Sequence, residues 1–452
     1  MDSSIFLSIF VLFSVSLFII GIWASRAIKT RSDFFLAGRD LNLASVTFTL
    51  IAIQLGGNMV LGAAEWAYMY GWYGIAYALG MSLGFLLLAS GIAAKLRSYA
   101  ITTTAELFEK RYHSPLLRKG AALVSIISLL GILISIIVSS RSLLHGLDIA
   151  HESVFIFFWI IIISYIMLGG LHAVVLTDIA QVLFIILCIG AVMAYSLMMQ
   201  PQGLSSLATL FHSQPLFDAT KLTSSTLLAT FLMPALFAIL EQDLAQPILA
   251  AKSPKIAVTG ALLAGIFIIL FGSIPVYFGM QARMIGLPLT AHANPFIAIT
   301  QHICSPFIFA LIVCSVIAAI TSTANSLICA VSSNIVQDFL PVLGNEKFMV
   351  RIAKAVTLLT GCAAVGASYY VNRTIIEIAI ASYEVSVSAL FVPLLFALYA
   401  HKPNKHGAFL SALCGLGTYI TLSYLPTSLP KEIIILAFSL IGYGIGAHLS
   451  HR

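Results

Sequence analysis

Ile53-Gln54-Leu55-Gly56-Gly57-Asn58-Met59 sets a glycine pair between two amide side chains in the middle of an otherwise apolar run, and the reading of this stretch decides the fold. Paired glycines weaken a helix, because each loses much backbone freedom on ordering and contributes no side chain to packing. Two readings compete. Small residues let helices cross closely in a membrane, or the segment unwinds and turns its backbone toward a cavity. Gln54 and Asn58, polar groups carried on an apolar run, favour the second. The run itself extends over about 43–69, longer than the roughly 20 residues that cross a bilayer.

The whole chain has this character. Hydrophobic residues make up 60% of its 452 residues and charged residues 9%, too few to solvate a water-facing surface, so a soluble globular fold is excluded. Inside hydrocarbon every backbone amide needs an internal partner, which leaves helices as the building unit for runs of this length. Apolar length and the Pro, Gly and charge breaks between runs predict about 13 spans, at 5–25, 43–69, 73–94, 119–144, 152–170, 177–200, 224–250, 256–281, 305–335, 352–371, 375–399, 407–425 and 432–449. The protein is expected to be an all-α, multi-pass protein of the cell membrane. The net charge of +6 reads as a topology signal rather than a nucleic-acid footprint. With the N-terminus outside and the C-terminus cytoplasmic, only Arg141, Lys221, Arg283, Arg373 and Lys431 of the 23 Lys and Arg fall outside. Arg26, Lys29 and Arg31 follow the first run, which therefore reads as an uncleaved span.

A second interrupted run lies at 224–250, with Met233-Pro234 inside it and Leu240-Glu241-Gln242-Asp243-Leu244-Ala245-Gln246-Pro247 at its end. The break is expected at the proline. Spans two and seven cross in opposite directions, and each opens a set of five. The expected organisation is a first helix and linker (1–42), a first repeat (43–200), an inverted second repeat (224–400) and two C-terminal helices (401–452). The loop 201–223 marks the boundary. Discontinuous helices in corresponding positions are where transporters place solute and ion near the bilayer midplane.

Ala318-Ala319-Ile320-Thr321-Ser322-Thr323-Ala324-Asn325-Ser326 is a hydroxyl-rich patch in an apolar span. A hard cation such as sodium prefers a few neutral oxygens, which hydroxyls and freed carbonyls supply. The bland reading has each hydroxyl bonding back to its own helix. Carboxylates inside spans are costly and therefore functional candidates, here Glu65, Asp178 and Glu384. Glu241 and Asp243 are read as reaching the inner interface, and Glu377 as lying near outer water. Thr102-Thr103-Thr104 followed by Ala105-Glu106-Leu107-Phe108-Glu109-Lys110-Arg111-Tyr112 reads as a short amphipathic helix at the membrane surface. The six cysteines read as small core residues, with no CxxC pair. No nucleotide loop, catalytic triad or zinc spacing is present, so no enzyme and no cofactor are expected.

Three motifs resemble the solute:sodium symporter family, which includes proline, pantothenate and sugar cotransporters. They are Gly169-Gly170-Leu171-His172-Ala173-Val174-Val175-Leu176-Thr177-Asp178-Ile179-Ala180-Gln181, the segment Glu241-Gln242 to Gln246 with Ala250-Ala251-Lys252-Ser253, and the run from Ala319. The resemblance covers nearly the whole chain. It implies a five-plus-five inverted repeat working by alternating access, with sodium as coupling ion. Residue by residue, it places sodium on the carbonyls of Ala52, Leu55 and Ala319 and the hydroxyls of Ser322 and Thr323, with Asp178 on the ion's inward route. Gln54, Asn58, Glu65, Phe237, Gln242 and Glu384 are the candidate solute contacts. Pro247 and Glu241 depart from the family's usual Arg and Asp, and the span-two polar set departs from that of the sugar carriers. A small zwitterion or carboxylate such as an amino acid is favoured over a hexose. Expected partners are the solute, sodium and the lipid bilayer, with no nucleic acid and a monomer sufficient. A proton-coupled carrier using Glu65 or Glu384, or a sensor acting through a separate partner, are the alternatives.

Overall fold

Apolar runs with no water to satisfy their amides close their hydrogen bonds locally, and the chain is helical nearly throughout. A computed structural model describes residues 3–26, 28–147, 152–199, 222–287, 289, 293–340, 345–425, 427 and 429–450. The helices of the first half are α1 (Ser3–Ser25), α2 (Arg31–Leu36), α3 (Leu43–Gln54), α4 (Ala63–Tyr70), α5 (Ala76–Leu87), α6 (Ala93–Ser98), α7 (Thr104–Tyr112), α8 (Pro115–Gly146) and α9 (Glu152–Met199). The second half holds α10 (Ser224–Leu240), α11 (Gln242–Ala250), α12 (Pro254–Met284), α13 (Pro295–Ile303), α14 (Pro306–Asn334), α15 (Glu346–Ser368), α16 (Ile375–Tyr399), α17 (Lys405–Tyr424) and α18 (Lys431–Leu449). Among the described residues nine helices are long and apolar enough to cross a membrane, ten if the pair α10 and α11, bent by 44°, is one span. This tally is lower than thirteen because Asn58–Ser98 counts as one continuous helix, while Val11–Ser25, Leu43–Gln54 and Glu152–Ser164 are apolar but only 10–17 residues long. The expected boundary loop 201–223 lies mostly outside the described residues.

Caps fix where helices begin. Asn42 accepts from Ser45 N at the start of α3, Ser114 and Ser253 cap α8 and α12 ahead of a proline, and Thr374 with Glu377 forms a capping box at α16. Glu377 thus has a structural task at a helix end. Helices α14 and α16 form the centre, with 83% and 78% of their spanning windows buried, whereas α17 is 22% buried. Leu187, Leu270 and Leu359 are more than 60% exposed on the outer faces, where lipid replaces water as the neighbour.

The structure moves one of the expected breaks. The proline at 234 does not break its helix: α10 runs through it to Leu240, and the break falls at Glu241, whose backbone is extended (φ −74°, ψ 138°). A proline removes one backbone donor, and buried packing on both sides holds the helix straight enough to continue. The expected division between the spans at 152–170 and 177–200 falls at Gly170, whose non-helical backbone (φ 50°, ψ −155°) kinks the helical run between Glu152 and Met199. A side chain there would also meet Phe34 O at 2.5 Å. The short helix α7 is amphipathic as expected and turns its apolar face to the bundle. Ala105, Leu107, Phe108 and Tyr112 are buried against the bundle, because its polar groups find partners there. Tyr112 donates to Pro393 O at 2.6 Å and Arg111 to Ala397 O at 2.6 Å and to Ala400 O. The six cysteines are unpaired, three of them buried, but Cys362 is exposed rather than in the core.

Candidate ion and solute site

The stretch at Gly56 and Gly57 is broken and closely crossed at once. Helix α3 ends at Gln54, the chain turns through Leu55 (ψ 23°), and a π turn over Asn58–Gly62 leads into α4. A Cβ on Gly56 would sit 2.3 Å from Thr323 Oγ1, and one on Gly57 2.0 Å from Ser139 Oγ. The glycines bring α14 and α8 against an interrupted backbone, and only a residue without a side chain leaves that space.

Into this contact α14 delivers its hydroxyls. Ser322 Oγ donates to Ala52 O at 3.1 Å and Ala319 O at 3.0 Å. Thr323 Oγ1 reaches Ile53 O at 2.9 Å and both Ala52 O and Ala319 O at 3.3 Å. Both residues reach across to the broken helix as well as back along their own. Ala52, Ala319, Ser322 and Thr323 therefore share one buried locus, and Leu55 is buried at the adjoining helix end, its N–H held by Ile51 O at 2.9 Å. Neutral oxygens are the only donors supplied here, which is the chemistry of a weakly held hard cation.

Asp178 lies on α9 and is fully buried, with neither carboxylate oxygen hydrogen-bonded. Three residues on, Gln181 donates to Thr321 Oγ1 at 2.8 Å, which ties its helix to the hydroxyl run. Ser326 Oγ on α14 is likewise buried without a partner.

Next to the hydroxyl locus is a small void of about 10 Å³, room for one water at most. Gln54, Asn58, Phe237 and Thr323 line it, together with Tyr77, Asp243 and Tyr383. Tyr77 and Tyr383 share a hydrogen bond of 2.7 Å, Phe237 packs on Tyr383 at a tilt of 38° with centroids 4.2 Å apart, and Ser135 donates to Asn58 Oδ1 at 3.0 Å.

The other candidates are elsewhere. Gln242 is fully buried but bridges Thr102 O (3.1 Å) and Thr104 N (2.8 Å), so it pins α7. Glu65 lines a cavity of about 290 Å³ with Arg141 and His145. Glu384 pairs with Lys431 at 2.8 Å and borders a cavity of about 690 Å³ with Trp66 and Glu432. Glu241 and Asp243 do not reach an interface, being 1% and 4% exposed. The structural contacts of Tyr77 and Tyr383 were not read from sequence, since a tyrosine in an apolar helix carries no signal of its own. One residue of offset turns a helical side chain about 100°, so Glu384 and Tyr383 face different surroundings.

The side rich in Lys and Arg is latched. Arg118 binds Asp338 and Glu109 at 2.8 Å each, and Thr103 donates to the same Asp338 oxygen at 2.8 Å. Leu41 and Ala251 pair across the ends of the two broken helices, with Arg97 on Ala251 O at 2.6 Å. The cavities of about 690 and 290 Å³ lie on the opposite side, near Arg141 and Arg373, where α13 is joined to the broken helix by Asn294 donating to Leu61 O at 3.0 Å.

Comparison with known proteins agrees with this geometry. The chain is 27% identical to the human high affinity choline transporter 1, over 91% of this chain and 75% of that one, and 26% identical to the sodium/pantothenate symporter of Escherichia coli strain K12, over 92% and 90%. Its fold matches a solved Na+-coupled sialic acid symporter with a TM-score of 0.82 at 18% identity, covering 98% and 97% of the two chains. The sodium:solute symporter family matches residues 34–415, most of the chain, and with the broken helices and hydroxyl locus in place the conclusion is direct: this protein is a multi-pass membrane member of the sodium:solute symporter family, a sodium-coupled transporter rather than an enzyme.

Proposed function

We propose that the protein imports a small polar organic solute by alternating access, with sodium held by Ala52, Leu55, Ala319, Ser322 and Thr323 and Asp178 on its inward route. The observation that carries this reading is the convergence of Ser322 and Thr323 on the Ala52 carbonyl across two helices, 2.9 to 3.3 Å from carbonyls at the break. An ion that replaces these hydroxyl contacts braces the interrupted helix against α14. The sequence ranges 43–200 and 224–400 serve as the two repeats, and the Lys- and Arg-rich side faces the cytoplasm. Solute enters from the side of the larger cavities, passes Glu65 and Glu384, and settles at Gln54, Asn58 and Phe237. Release inward requires the Arg118 and Gln242 contacts of α7 to part.

Energy is sufficient for this. A unit charge crossing about 100 mV gains roughly 2.3 kcal/mol and a tenfold sodium gradient about 1.4, an accumulation on the order of several hundredfold per ion. Proton coupling through Glu384 has less support, since Lys431 already neutralises it.

Purified protein in liposomes, screened for solute-induced thermal stabilisation in sodium and in potassium, tests the reading. Stabilisation that needs sodium is expected. Binding or uptake indifferent to sodium and driven by a pH gradient overturns it.

A further inference from the structure

Among the described residues, Asp243 is the one carboxyl that lines the central void. Among the described residues no Lys, Arg or His borders the void, and no ion pair reaches Asp243 or its neighbour Glu241. Asp243 Oδ1 accepts only from Leu244 N at 2.8 Å, and neither Glu241 oxygen has a hydrogen-bond partner. Two ionised carboxyls buried at a helix break without a basic neighbour are costly, and either a proton or a cation arriving from outside relieves that cost.

The rest of the wall says which cation. Three aromatic rings, Tyr77, Phe237 and Tyr383, border the same void, with Phe237 on Tyr383 at 4.2 Å and the two phenols joined at 2.7 Å. Sodium loses its hydration shell profitably only to close oxygens, and ring faces replace water poorly for so hard an ion. Ring faces do attract a soft, weakly hydrated organic ammonium, above all a methylated one, and the attraction grows when water is excluded. Neutral oxygens at Ser322 and Thr323 and a carboxylate among rings at Asp243 are thus two different cation environments a few side chains apart.

We propose that the solute bears a compact ammonium head, which seats against the Asp243 carboxylate beneath the rings of Tyr77, Phe237 and Tyr383. This rests on the symporter reading and narrows it: organic cations and zwitterions are recognised by their positive end, while solutes carrying only a carboxylate, and sugars, are not. The void holds one water as it stands, so the head enters when the ring stack parts. Gln54 and Asn58 hydrogen-bond the remainder of the solute.

The test uses the full-length protein in detergent and in liposomes. Thermal stabilisation and competition are measured with tetramethylammonium, choline, betaine, proline, pantothenate and glucose, each in sodium and in potassium. Ammonium-bearing compounds are expected to bind in sodium, and Asp243→Asn to weaken them by at least about tenfold while stabilisation by sodium alone is kept. Phe237→Leu, a milder change that keeps the void apolar, is expected to weaken them about three- to tenfold. If Asp243→Asn does not fold, Phe237→Leu decides alone. Sodium-dependent binding of pantothenate or glucose, with no response to any ammonium compound, overturns the ammonium proposal and leaves the symporter reading standing. Unchanged ammonium affinity in both variants overturns it as well. Ammonium binding that is lost in Asp243→Asn but indifferent to sodium keeps the proposal and removes the coupling.

Discussion

The two helix breaks of this molecule are built from opposite materials. At 55–57 the chain interrupts itself with glycines and presents carbonyls to the hydroxyls of Ser322 and Thr323, without a formal charge in the contact. At 241 it interrupts itself with an extended acid, and two buried carboxyls and an aromatic stack flank the gap. Uncharged oxygens bind a small ion weakly enough to release it on every cycle. A fixed carboxylate among rings discriminates by charge and shape. On the proposals above, the molecule divides ion coupling and solute choice between its two discontinuities, even though both breaks face the same small void.

The hardest way to break the comparison is to fill the first gap. Gly57→Val places methyl groups where a Cβ alone would lie 2.0 Å from Ser139 Oγ, and overpacking of this kind costs about 1–3 kcal/mol or more. Sodium-driven uptake should vanish and the melting temperature fall; uptake at the wild-type rate would mean the helices have room to separate. Next, Ser322→Ala with Thr323→Ala removes hydroxyls worth about 1 kcal/mol each. The sodium concentration for half-maximal uptake should rise about 10- to 100-fold, with solute affinity little changed at saturating sodium. An unchanged sodium dependence would move the ion site elsewhere.

Smaller effects sharpen the picture. Asp338→Asn weakens the Arg118 latch, so a cysteine introduced as Ala105→Cys should react with a water-soluble maleimide several-fold faster than with the latch intact. Equal labelling rates would leave α7 a static support. Gln54→Ala should raise the half-saturating solute concentration about three- to tenfold, the loss of one hydrogen bond, while sodium dependence stays put. Wild-type affinity would take the pocket away from the break. Smallest of all, Glu384→Gln removes a pair whose lysine is 31% exposed, and should lower stability by about 1 kcal/mol or less without touching either half-saturation constant. A large shift in solute affinity would instead place Glu384 on the pathway.

Much of this was legible in single residues. A glycine pair between amides announces a break because helix propensity and burial conflict there, and a cluster of hydroxyls in an apolar helix announces an oxygen-rich surface. Pro234 misled because local propensity is overridden when a helix is packed on all sides, so the break moved to Glu241. Asp243 looked like an interfacial acid because it sits near the end of an apolar run, and run length says nothing about how deeply the bundle buries a bent helix. Gln242 and Glu384 were singled out by polarity, yet their neighbours Asp243 and Tyr383 reach the void, since facing is decided by helix rotation rather than composition.

The sequence by itself determined that the chain lives in a bilayer, that it is helical, and that its backbone is interrupted at 55–57, because hydrophobicity, hydrogen-bond demand and glycine chemistry act over short distances. Tertiary structure alone decided which oxygens meet across that gap, which partners α7 finds on the bundle, and that one carboxylate stands among three rings. These depend on the rotation and crossing of helices distant in sequence, from Tyr77 to Tyr383, and no local pattern encodes them.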